Sequence, residues 1–345
     1  MADGLRRSNF RVKNLDVSGQ VTGNIANPLM TKGNVWYVDA SKATAVTGDG
    51  TTWDEAFLTI AEGIAAASAH DIVYIAGQSH TDYTGDPVSY SENLTIPYAT
   101  SNLALVGISR GRTQGGLPQL KVGSTTTQAL LRIRAPGCLI MNLGFNGTGG
   151  TGGGILLDDD ATTKAAFGTT IANCHFKNCQ GPDVDDAKEG GAIQWPTAGN
   201  AWQTSILGCR FYKNTCGVCL LGTSNTRPQD VLIEDCDFTG MAANVDCDIW
   251  GTGTGSGFGS VHVNRCTFGQ LPEYGSNVNL YYDFTGSLNG SISNCTFGCL
   301  VNNSAATTIT FGTGGSGGKT PATMNIANCY GASDTLAEGL QITTA

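Results

Sequence analysis

An all-β solenoid is the fold class that this sequence predicts, and three observations carry the prediction. First, one phrase recurs: Ile171-Ala-Asn-Cys174-His-Phe176, Ile206-Leu-Gly-Cys209-Arg-Phe211, Ile233-Glu-Asp-Cys236-Asp-Phe238, Val263-Asn-Arg-Cys266-Thr-Phe268, Ile292-Ser-Asn-Cys295-Thr-Phe297 and Ile326-Ala-Asn-Cys329-Tyr330. Met141-Asn-Leu143-Gly-Phe145 fits the same frame with leucine in the cysteine slot, and the six steps from Leu143 to Cys329 average 31 residues. A strand-like phrase at such a period marks a stack of repeated units. Second, the phrase alternates apolar and polar residues, the period of a half-buried strand and not of a helix. Third, the 345 residues include 48 glycines but only 14% charged residues, against about 25% charged in an average soluble domain. Hydrophobic residues reach 40%, enough to bury a long core, so a disordered acidic chain is excluded. The glycines follow no strict three-residue period, which excludes collagen.

Taken in chain order, residues 1–34 read as an extended basic arm. Met1 to Gly33 carry Arg6, Arg7, Arg11, Lys13 and Lys32 against Asp3 and Asp16, a balance of +3, which leaves −12 on the rest of a chain whose net charge is −9. An acidic body argues against a nucleic-acid binder. A basic arm on such a body is suited to a negative surface that the body would repel. No run of about 18 apolar residues is present, and the first residues lack the apolar core of a secretory signal, so neither membrane insertion nor export by that route is expected.

Residues 35–75 read as a capping strand-helix-strand unit. Val38–Asp39 ends a strand, Gly48-Asp49-Gly50 is a turn, and Thr52 with Glu55 forms a capping box before a helix over 54–68. Ala56, Phe57, Ile60, Ile64 and Ala67 share its apolar face. Such a helix covers the open first coil of a solenoid, which needs a cap. Coils follow over 76–335, with strands at Ile72–Ile75, Leu94–Ile96 and Asn102–Gly107, and a tail over 336–345. Within each coil Ile, Cys and Phe point inward and stack with their equivalents one coil spacing away. Cysteine acts there as a small core hydrophobe, making Cys174, Cys209, Cys236, Cys266, Cys295 and Cys329 a core ladder of free thiols. Asn173, Asp235, Asn294 and Asn328, each just before a cysteine, suit a bend.

Tyr37-Val-Asp39, Gly48-Asp-Gly50, Trp53, Ala56-Phe57, Ile64-Ala-Ala-Ala-Ser68, Asp71-Ile-Val-Tyr-Ile75, Glu92-Asn-Leu-Thr-Ile96 and Leu105-Val-Gly107 together resemble the opening of right-handed parallel β-helix proteins, the pectin-lyase-like superfamily common among bacteriophage virion proteins and bacterial surface proteins. The resemblance spans residues 35–335. It implies a single right-handed parallel β-helix with a short N-terminal capping helix, and it is poor for function because the scaffold hosts lyases, hydrolases, adhesins and inert structural proteins. Its pectate-lyase branch is calcium-dependent, and the Trp-x-Asp-His signature of some members is absent here. The polygalacturonase motifs Asn-Thr-Asp, Gly-His-Gly and Arg-Ile-Lys are absent too, with Arg132-Ile-Arg134 a near miss.

Candidates for chemistry are few. Asp158, Asp159 and Asp160 form the densest acidic run, and Asp183, Asp185, Asp186 and Glu189 a second. Paired carboxylates are the tools of glycoside hydrolysis, and the first run also suits a calcium ion, but a solvated turn is the simpler reading of both. Trp195 and Trp202 stack on sugar rings if exposed and are ordinary core if buried. Cys216-Gly-Val-Cys219 matches a redox spacing without the helix that lowers a thiol pKa. His70, His80, His175 and His262 are too scattered for zinc, and Thr313–Thr320 lacks the first glycine of a P-loop. No metal or cofactor is expected.

These readings favour a structural virion protein of a tailed bacteriophage, made in the host cytoplasm. Its expected role is head decoration (cement), docking on the major capsid protein through Arg6, Arg7, Arg11 and Lys13. The resemblance implies a homotrimer. The alternative is a tail spike that binds or cleaves host surface polysaccharide with the two acidic runs, Trp195 and Trp202. A cell-surface adhesin is disfavoured by the missing signal.

Overall fold

The computed structural model describes residues 31–42, 46–77, 90–108, 116–161, 164–181, 191–195, 201–222, 228–238, 247–253, 259–270, 278–284, 289–299, 309–311, 323–332 and 342–344. Three sheets wind around one core as a parallel β-helix. Sheet I has ten strands, from Val35–Val38 and Ile72–Ala76 to Thr323–Ala327; sheets II and III have nine each, running from Tyr90–Ser91 to Tyr330–Ala332 and from Leu94–Ile96 to Ile342–Thr344. The chain visits I, II and III in turn, and each strand pairs in parallel with its equivalent one coil on. The exception is a short antiparallel hairpin, Asp159–Ala161 with Lys164–Ala165, set between sheets III and I.

Both bends flanking sheet I use one residue in the left-handed region. Between sheets I and II these are Asn142, Asn173, Gly208, Asp235, Arg265, Asn294 and Asn328, with φ from 51° to 60°. Between III and I they are Asn102, Gly137, Gly168, Gln203 and Asp230, and His70 holds the equivalent place after the capping helix. Gly, Asn and Asp enter that region at the least cost, so the residue before each cysteine is where the chain turns. Arg265 is the costly exception, and its guanidinium is held at 2.8 Å by Asp235 and at 3.2 Å by Glu234.

The bend aims the next residue into the core. Cys174, Cys209, Cys236, Cys266 and Cys295 are buried and Cys329 is half-buried, and the ten cysteines whose side chains are described are all free. Each ladder thiol donates weakly to two carbonyls, as Cys236 does to Glu234 O at 3.3 Å and Ile206 O at 3.6 Å. Phe145, Phe176, Phe211, Phe238, Phe268 and Phe297 follow as a continuous stack with centroids 4.5–5.2 Å apart and planes within 9°. That separation is the coil spacing itself, so identical rings at one register position overlap face to face.

The cap differs from expectation. The helix spans Ile60–Ala66, not 54–68, and its capping box is Thr59 with Glu62. Glu55 N–H does donate to Thr52 Oγ1 at 3.1 Å, but no helix follows, because Phe57 is extended and bridged to Val38 beside the first strand. Helical periodicity in 54–59 thus lost to pairing with a sheet edge. Ile60, Gly63 and Ile64 bury the helix face, and Glu92 accepts from Ile60 N–H at 2.9 Å and Ala61 N–H at 2.8 Å at its N-terminus. Among the described residues no helix is long and apolar enough to cross a membrane.

Candidate functional site

Among the described residues, a cluster of aromatic and charged side chains lies where sheet III bends into sheet I, with Trp202 exposed and Arg132, Arg134, Asp158 and Phe167 half-buried. In the strand Leu131–Ile133 alternate residues point inward, so Arg132 and Arg134 share the outer face. Pairing of Ile133 with Leu157 brings Asp158 level with Arg134 on the next coil. Asp158 Oδ2 lies 3.2 Å from Arg132 Nε and 3.1 Å from Arg134 Nε. Two guanidiniums thus converge on one carboxylate oxygen, and Asp158 is the centre of an ion-pair cluster.

Beyond the hairpin, the chain presents a second feature. Ala166 N–H donates to Asp158 O, which joins the far side of the hairpin to its start. Ala166 is buried and Phe167 turns outward before the bend at Gly168. One coil on, Ala201 is buried and Trp202 turns outward before the bend at Gln203, leaving Trp202 39% exposed. Gly168 N–H donates to Trp202 O at 2.8 Å, which fixes the register. The Phe167 and Trp202 rings stack at 5.4 Å and 27°. The result is an open aromatic platform beside a fixed ion-pair cluster.

The sequence candidates scatter around this site. Trp195 is a correction: it is fully buried, with its indole N–H donating to Ala201 O at 2.6 Å, so it supports the bend from inside and cannot stack on a sugar. It fills the inward position next to Gln194, which the alternation dictates once the strand register is set. Asp159 lies half-buried in the hairpin. The side chain of Asp160, all of Asp183, Asp185, Asp186 and Glu189, the arm residues Arg6, Arg7, Arg11 and Lys13, and His80 and Lys319 lie outside the described residues. Sequence reasoning did not single out Arg132, Arg134 or Phe167 for this cluster, although the alternation in Arg132-Ile-Arg134 was a usable signal.

The ten cysteines whose side chains are described are free, nine of them buried and Cys329 half-buried. Burial pushes Cys138 and Cys179 up to about 12, and it raises Cys209 and Cys236 well above the usual thiol range. Cys216 and Cys219 are buried with Trp250 in a small cluster on a strand. A thiol reagent is therefore expected to react slowly with the native chain and, after denaturation without reductant, to titrate at least the ten cysteines seen free. A denatured count below four would overturn the free-thiol ladder. Among the described residues no cluster of His, Cys, Asp and Glu is arranged to hold a metal.

No protein-family model matches the chain, and no curated protein matches it. Solved structures similar to it are right-handed parallel β-helix proteins. They include a GH136 lacto-N-biosidase from Eubacterium ramulus (TM-score 0.48, 10% identity, covering 86% of this chain and 55% of that one). A pectin methylesterase from Aspergillus niger has TM-score 0.45 and 13% identity, with 92% and 91% covered. The pectate lyase Pel9A has TM-score 0.40 and 10% identity, with 92% and 79% covered. The chain spans about half the length of the lacto-N-biosidase, 55%. At these identities the likeness is one of fold.

Proposed function

We propose that this β-helix is a glycan-binding protein of the spike type, and that it holds a surface polysaccharide on the Phe167–Trp202 platform. One observation carries the reading: a tryptophan 39% exposed to solvent whose ring stacks on a phenylalanine of the neighbouring coil. The apolar face of a sugar ring packs on such a surface by burying area against a rigid side chain. Arg132, Arg134 and Asp158 supply fixed donors and acceptors beside it, the few polar groups that orient a ligand in such sites. Binding rather than cleavage is proposed, because among the described residues the carboxylate beside the platform, Asp158, is held by two arginines.

Affinity electrophoresis through gels containing bacterial surface polysaccharides tests the reading. At least one polysaccharide is expected to retard the protein, and Trp202→Ala to weaken that binding about tenfold or more, the worth of about 1.4 kcal/mol. Unchanged retardation in Trp202→Ala, or no retardation by any polysaccharide, sinks the proposal. Release of reducing ends would show cleavage instead.

A second reading, decoration of a phage head through Arg6, Arg7, Arg11 and Lys13, rests on the charge contrast between residues 1–33 and the rest of the chain. Quantitative mass spectrometry of virions separated into heads and tails would separate the two. Many copies tracking with heads favour decoration, and a few tracking with tails favour a spike.

A further inference from the structure

We propose that the capped end of the solenoid carries a binding site for a small organic cation, a quaternary ammonium group of the choline type, formed by Tyr37, Trp53 and Tyr74. Strand pairing sets Tyr37 beside Tyr74 on the outer face of sheet I, with ring centroids 6.0 Å apart. Trp53 extends the row at the sheet edge, 4.8 Å from Tyr37. The segment that presents Trp53 is held at both ends by one residue: Tyr37 N–H donates to Gly50 O and Tyr37 O accepts from Phe57 N–H, both at 2.9 Å. Trp53 is 40% exposed, and both tyrosines are half-buried.

Ring geometry sets this cluster apart from the platform. The Phe167 and Trp202 planes lie 27° apart, whereas Tyr37 meets Trp53 at 61° and Tyr74 at 37°. A near-parallel pair suits the flat face of a sugar ring; rings set at angles present several faces to a compact, rounded group. Ring quadrupoles draw a cation to those faces, and aromatic clusters are the usual receptors of quaternary ammonium groups. Other aromatic side chains spend their polar tips inside the fold, as Trp36 does on Asp71 and Tyr90 on Ala76 O. Among the described residues, Tyr37, Trp53 and Tyr74 make no such side-chain hydrogen bond.

Charge selects the ligand. Residues 35–57 carry Asp39, Asp49, Asp54 and Glu55 against Lys42 alone, a balance of −3. Lys42 is already engaged, its ammonium donating to Ala56 O at 2.7 Å. Asp54 adjoins Trp53, and Asp39 follows Tyr37 by two positions. Among the described residues the ion pairs lie elsewhere, and none neutralises these four carboxylates. An anion is repelled here and a neutral molecule gains nothing from the field, while an ammonium group gains from the rings and the carboxylates together. Neither these residues nor this ligand belong to the Phe167–Trp202 platform, so the proposal does not rest on glycan binding.

Titration of the full chain with choline, followed by saturation-transfer-difference NMR, gives the test, with the uncharged carbon isostere dimethylbutanol beside it. Choline is expected to saturate with a dissociation constant on the order of 1 mM, as a few partly exposed cation–π contacts allow. The isostere should bind at least about tenfold more weakly, and Trp53→Ala should weaken choline by a similar factor with an unchanged melting curve. If that variant melts early, Tyr74→Leu, which keeps an apolar side chain in the strand and removes the ring, should weaken choline about threefold or more. No saturable choline signal, equal binding of choline and its isostere, or undiminished binding in the folded variants overturns the proposal. Co-sedimentation with phosphatidylcholine vesicles, competed by free choline, would place the ammonium on a lipid headgroup. Choline binding without co-sedimentation would place it on a soluble ligand.

Discussion

Phe238→Ala is expected to destabilise the protein by about 3–5 kcal/mol. Phe238 is fully buried, with Phe211 4.5 Å away on one side and Phe268 4.8 Å away on the other. Coil spacing is fixed by backbone pairing, so the neighbouring rings cannot close the gap, and the cavity persists. A solenoid is held by nearest-neighbour interfaces; the loss therefore falls on the contacts between three successive coils. Denaturant unfolding should shift to a lower midpoint and broaden or split, and hydrogen exchange should quicken first in the coils flanking Phe238. Phe238→Leu, which keeps most of the volume, should cost about 1 kcal/mol. A single transition with an unchanged midpoint in Phe238→Ala would show that the stack contributes little.

Asp71→Ala is expected to unfasten the N-terminal edge of the solenoid. The buried Asp71 carboxylate accepts from Asn34 N–H at 2.6 Å, from the Trp36 indole N–H at 2.9 Å and from Ser68 N–H at 2.8 Å. It thereby ties the first strand and the chain leaving the capping helix to the second strand. Removing it strands three donors, each worth about 1–3 kcal/mol when buried and unpaired; a total loss of about 3–5 kcal/mol follows, since the three are not additive. Burial raises the carboxyl pKa, but the hydrogen bonds from Ser68, Trp36 and Asn34 outweigh it and hold the group below its ordinary 3.8. A depressed folded-state pKa contributes stability that is present above the unfolded value and is lost as pH falls through the folded one. Melting temperature in the wild type should therefore fall on acidification below about pH 4, and Asp71→Asn should lose that component of the fall. If Asp71→Ala melts like the wild type at neutral pH, the carboxylate is not the fastening.

The sequence alone determined the architecture. The phrase around each cysteine carries the inward Ile, the bend and the inward Cys and Phe within six residues, and all of these are local. Side-chain alternation and the tolerance of Asn, Asp and Gly for the left-handed region need no distant partner to be read. Recurrence of that phrase, at steps of variable length, then brings equivalent residues into register, which is why the Cys and Phe ladders were legible in advance.

What only the tertiary structure decided depends on which coil lies beside which. Phe57 fits a helical face in isolation, yet it is extended because it pairs beside Tyr37 and Val38. Trp195 and Trp202 are seven residues apart and equally aromatic in the sequence, but one lines the core and the other the surface. A parity set by strand pairing separates them. Asp158 reads as one of three equivalent aspartates until Arg132 and Arg134, one coil earlier, come within 3.2 Å. Alternation fixes that successive side chains oppose one another, but the inward parity and the neighbour across the coil are set by backbone hydrogen bonds between distant segments.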